Sequence, residues 1–135
     1  MPRYQMMQVD AFTTTPFSGN PCAVVFDADD MTETTMLRVA KEMNLSETAF
    51  VRKSGSADIG VRFFTPAEEI PLAGHPTIAT VFALIDAGRL PIHGDAFKVT
   101  VELKDGPISV EVFYRPGTPT QIVMTQREPQ FLSIF

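Results

Sequence analysis

The sequence predicts an α+β fold with about seven strands, one buried helix and one outer helix. Three observations carry that prediction. First, TIATVFALIDA (residues 77–87) is apolar on nearly every helical face and is framed by Pro76 before it and Gly88 after it. A helix of this kind must be surrounded by the rest of the protein. Second, Phe97, Val99, Val101 and Leu103 alternate with Lys98, Thr100 and Glu102, and Ile108, Val110, Val112 and Tyr114 repeat the pattern after Asp105-Gly106. Period-two alternation on both sides of a tight turn reads as paired strands. Third, Thr32–Met43 places Met36, Leu37, Ala40 and Met43 on one helical face, a stripe suited to lying on a core. In a chain otherwise made of short strands, the simplest surround for the apolar helix is a curved sheet.

The remaining elements follow in order. Tyr4–Phe12 reads as the first strand, and TTTPFSGNP is turn-rich, punctuated by Gly19, Asn20 and Pro21. The apolar run Cys22–Phe26 reads as a strand buried on both faces. Asp30, three residues before Glu33, is a candidate helix cap, and Asn44 suits the helix stop. Thr48–Lys53 and Asp58–Phe64 read as strands joined by Ser-Gly-Ser, and Gln121–Thr125 as a last short strand. The seven methionines read as core filler.

Composition narrows the function. At 135 residues the chain suits one domain, and 44% hydrophobic with 20% charged residues is ordinary for a soluble globular protein. A net charge of -5 disfavours nucleic acid as a partner. No run approaches the roughly 18 apolar residues of a membrane span, and no leader pattern is read at the start. One cysteine, Cys22, and two distant histidines, His75 and His93, give neither a disulfide nor a zinc set. The expectation from composition is a cytoplasmic protein without a zinc site.

Two places could carry chemistry. Gly74 and His75 precede the apolar helix, where first-turn amides lack intrahelical partners and the dipole adds positive character. Gly74 allows close approach, so Gly74, His75, Pro76 and Thr77 could hold a carboxylate. The same residues also read as a plain helix start. Glu47, among Leu45, Ala49 and Phe50, could serve as an acid or base, or be a solvated loop glutamate. Cys22, inside an apolar run, reads as a small buried hydrophobe. Asp10 could brace the neighbouring turn, His93 reads as a solvated loop residue, and Glu68 and Glu69 as a solvated charge pair.

Taken in order, VDAFT, F-SGNPCAVV, NLSETAFV and FFTPAEEIPLAGHPTIAT resemble the PhzF family of phenazine-biosynthesis-like isomerases, from about Gln8 to Gly88. The resemblance implies one lobe of a diaminopimelate epimerase-like fold: a barrel-like, mostly antiparallel sheet around a central helix. It implies a cofactor-independent isomerase acting on a small carboxylate, with Glu47 as general acid/base and Asn20, Gly74 and His75 facing the substrate. Ala73 stands where cysteine-dependent relatives keep a thiol, which argues against a two-thiol racemase. Family members are about twice as long, and their second half carries a further helix start and acidic residue not found here. Residues 1–135 are therefore expected to form a single N-terminal-type domain without the second lobe. Two readings stay open: an isomerase-type half-domain, with a homodimer standing in for the second lobe, and a non-catalytic half-domain that binds small acids.

Overall fold

The computed structural model describes residues 4–11, 20–71, 74–92, 94–104, 106–114 and 121–124, with the backbone alone for Asp10, Ala11, Asn20, Gly74, His75 and Met124. In chain order the elements are β1 (Met6–Ala11), β2 (Asn20–Val25), α1 (Glu33–Met43), β3 (Glu47–Arg52), β4 (Ile59–Phe64), β5 (Glu69–Ile70), α2 (Gly74–Asp86), β6 (Ala96–Leu103), β7 (Gly106–Phe113) and β8 (Gln121–Met124). One mixed sheet runs β1-β2-β3-β4-β6-β7-β8, with β5 branching from β4. β2/β3 and β4/β6 are parallel, and the other pairs are antiparallel. The α+β expectation is met, with eight strands in place of about seven.

Strand alternation divides the side chains between two cores. On the concave face Cys22, Val24, Ala49, Val51, Val61 and Phe63 meet Ala79, Val81, Ala83 and Leu84 of α2. On the convex face Val25, Phe50 and Phe64 meet Met36 and Ala40 of α1. The Phe50 and Phe64 rings pack edge to face at 5.5 Å between centroids. These two faces explain why β2, β3 and β4 read as nearly continuous apolar runs: each is covered on both sides.

Several expectations need correction. The cap of α1 is Thr32, whose Oγ1 accepts from the Thr35 amide at 3.1 Å. Asp30 lies too far from the first turn and instead accepts from the Tyr4 hydroxyl at 2.8 Å. Asn44 does stop the helix: it is left-handed (φ 52°) and donates its N–H to Ala40 O. α2 begins at Gly74, two residues before Pro76, which still falls in the first turn where its missing N–H costs nothing. Gly88 follows with φ 74°, as its position past the helix end demands.

The central helix is also less enclosed than its sequence suggests. Phe82 is 37% exposed, and Ile78 and Ile85 on the same stripe are only half-buried. The helix packs against both β1 and β8, the two end strands of the sheet order. Met36 is a buried core methionine, whereas Met6 is 48% exposed.

The expected solvated Glu68–Glu69 pair holds only for Glu68. The Glu69 side chain is 7% exposed and sits in a two-point contact with Arg62: Nε donates to Oε2 at 2.7 Å and Nη2 to Oε1 at 2.6 Å. Hydrogen bonding to Arg62 holds the Glu69 carboxyl below its ordinary range despite its burial.

The cap assignment predicts that Thr32→Ala lowers stability by about 1 kcal/mol in urea denaturation. Asp30→Ala, which loses only an exposed hydrogen bond, should change it by less than about 0.5 kcal/mol.

Candidate active site

The topology places Asn20 and Glu47 at one end of the sheet. β2 and β3 are parallel and start together, with Cys22 opposite Glu47 in the register. Asn20 is the first residue of β2, two residues ahead of Cys22. The other end of the sheet is marked by Arg89, three residues past α2, whose Nη1 donates to Asp27 Oδ2 at 2.8 Å just beyond β2. Its guanidinium also lies 4.6 Å from the centre of the Phe26 ring. A helix of 13 residues is about 20 Å long and a strand of six is about the same length. At the opposite end, β5 pairs with Phe63 and Phe64 of β4, Phe64 lies opposite Thr48 next to Glu47, and α2 begins four residues after β5.

Glu47 is half-buried, and its Oε1 is out of contact with solvent. It opens β3 on the same concave side as Ala49 and Val51, so its carboxylate stands at the mouth of the core that holds α2. Its cross-strand neighbour Cys22 is fully buried. Burial first, and then the Glu47 charge, push the Cys22 thiol up to about 12, while a backbone hydrogen bond at Ala49 opposes the rise. Cys22 is thus a neutral wall beside the carboxylate, in keeping with its reading as a small hydrophobe.

At the start of α2, Pro76 and Thr77 are buried, Thr77 at 0% exposure. Thr80 Oγ1 donates to Pro76 O at 2.6 Å, which further fixes the first turn. Pro76 and Thr77 form the floor of the helix start, leaving Gly74 and His75 nearest to the chain that precedes it. The side chains of Asn20, His75 and Asp10, and all of Ala73 and His93, lie outside the described residues. Among the described residues, no three His, Cys, Asp or Glu side chains cluster as a metal site requires, and no helix is long and apolar enough to cross a membrane.

Sequence reasoning missed the Arg62–Glu69 pair beside this end. The two lie seven positions apart, and nothing in the sequence marks residues 69–70 as a strand folded back on β4. Thr65 supplied the available signal: its hydroxyl accepts from the amides of Ala67 and Glu68, forming the turn that brings Glu69 back.

Residues 9–133 match the family of phenazine biosynthesis-like proteins, PhzC-PhzF. The chain belongs to that family. It is 40% identical over 127 residues to a trans-2,3-dihydro-3-hydroxyanthranilate isomerase of Pseudomonas chlororaphis, covering 93% of this chain and 44% of the relative. A crystal structure of a PhzF-family protein from Bacillus anthracis superposes with a TM-score of 0.81 at 39% identity, over 88% of this chain and 39% of that one. A hydroxyproline epimerase from Agrobacterium vitis shares the fold at 14% identity, with a TM-score of 0.64 over 84% of this chain and 38% of that one. The architecture is thus the epimerase-like one that the resemblance implied. The chain spans less than half the length of the curated relatives it matches.

The neutral Cys22 gives a pH prediction. A thiol held up in the folded state contributes stability fully below its unfolded pKa of about 8.5, and that contribution fades as pH rises from there toward the folded value. Cys22→Ala should therefore show a smaller loss of stability than the native chain between about pH 8 and pH 10. Iodoacetamide should label native Cys22 no faster than global unfolding exposes it.

Proposed function

We propose that this chain forms one wall of an isomerase site that shifts a proton on a small carboxylate, with Glu47 as general acid and base and no cofactor. The reading is supported by Glu47 opening β3 opposite the buried Cys22, in a chain whose relatives are named isomerases and whose α2 begins four residues after the strand that pairs with the neighbouring end of β4. Glu47 would take a proton from a carbon beside an activating group and return it to another position on the same face. Its half-buried seat next to the neutral Cys22 keeps water to one side. Gly74 and His75 would meet the substrate carboxylate, Asn20 would face it from β2, and Pro76 and Thr77 would hold the helix start from beneath. Holding substrate and base in one geometry is worth several kcal/mol of the barrier.

The test uses the relative's printed substrate name as a guide to ligand class. 2-Aminobenzoate, a stable ring carboxylate of that class, should bind the chain and move the amide resonances of Gly74, His75 and Thr77. Exchange of deuterium into a trans-2,3-dihydro-3-hydroxyanthranilate substrate should vanish in Glu47→Gln while 2-aminobenzoate binding persists. Equal exchange in that variant rejects Glu47 as the base. Binding with no exchange even in the native chain favours the small-acid-binding half-domain instead.

The same reading includes a second copy of this chain as partner. The apolar stripe of α2 leaves Phe82 partly exposed, and exposed apolar surface favours association. Light scattering during size exclusion at micromolar concentration should give twice the 14.9 kDa chain mass. A single mass of one chain rejects the dimer.

A further inference from the structure

We propose that Arg62 and Glu69 are a positioning pair, setting where α2 starts and so where its first amides stand relative to Glu47. The inference rests on the reading of Glu47 and the start of α2 as the working site. β5 is only two residues long and touches the sheet through two register pairs, Phe63↔Ile70 and Phe64↔Glu69. Among the described residues its far side has no strand, and β6 pairs with the opposite end of β4, at Ile59 and Gly60. Yet α2 begins four residues after Ile70, so β5 leashes the helix start within about 14 Å. Two backbone pairs are a weak anchor for such a leash.

The Arg62 fork supplies the missing constraint. Its guanidinium holds both Glu69 oxygens in a planar two-point contact, which fixes direction as well as distance. The same Nη2 donates to Glu33 Oε1 at 2.8 Å, in the first turn of α1, and the guanidinium lies 5.6 Å from the centre of the Phe64 ring. The outer contacts count for less. Glu33 is 69% exposed, and Lys104, 60% exposed, reaches Glu69 only at 3.3 Å. A nearly dry ion pair adds little net stability over an apolar pair of similar volume. What it adds here is geometry.

The test separates geometry from stability in the 135-residue chain. Arg62→Lys keeps the charge and loses the fork, and Glu69→Gln keeps the length and loses the charge. Each should shift the amide resonances of Gly74, His75 and Thr77 and weaken 2-aminobenzoate binding roughly tenfold. The double variant should be no worse than either single one, since both break one unit. Lys104→Ala and Glu33→Ala should leave binding unchanged. The deciding variant replaces both partners, Arg62→Met with Glu69→Leu. It should recover urea stability while the Gly74–Thr77 resonances and the weakened binding stay as in the single variants. Recovery of binding together with stability shows a merely structural pair and overturns the proposal, as do unmoved resonances in folded Arg62→Lys and Glu69→Gln. Failure of the native chain to bind 2-aminobenzoate strikes the site reading instead, and the amide resonances still judge the positioning claim.

Discussion

The burial of α2 against the concave face of the sheet is the constraint on which the rest of this structure depends. Val81 and Ala83 are wholly enclosed, and Ala79 and Leu84 nearly so. Full burial of a side chain such as Val or Leu stabilises by about 1.5–3 kcal/mol, and the helix satisfies its own backbone, so the sheet can close on it without leaving polar groups dry. Alanines at 79 and 83 let strands approach closely. The threonine at 80 avoids a cost by donating back to the carbonyl four residues earlier. Once the helix is seated, the ends of the strands around it are placed, and the site residues with them.

That seating makes the two faces of one sheet end electrostatically different. On the concave face Glu47 stands beside a thiol that stays neutral. On the convex face Arg62, one strand over on β4, binds Glu69 and Glu33 and raises its own affinity for the proton through those bonds. Glu47 and the guanidinium-bound Glu69 therefore lie on opposite faces of the sheet.

The open edge gives the architecture its other consequence. Closing a sheet around a helix removes edges, and here β1 and β8 both reach α2 at the ends of the sheet order. The helix accordingly keeps Phe82 partly in water. The curated relatives the chain matches are more than twice its length.

The sequence by itself determined the fold class, both helices, nearly every strand and the stops at Asn44 and Gly88, because those features are written in local periodicity and in left-handed backbone positions. The motifs also pointed to Glu47 and the Gly-His helix start through family resemblance. Only the tertiary structure decided that Thr32 and not Asp30 caps α1, since the choice turns on where the first helical amide falls. It also decided that Cys22 is the neighbour of Glu47, which depends on a parallel register between strands separated by a helix. Glu69 is the clearest case. A glutamate in FFTPAEE reads as solvated until β5 folds back on β4, and its partner Arg62 is chosen by that hairpin alone. Long-range register is a property of the assembled sheet, so no window of sequence contains it.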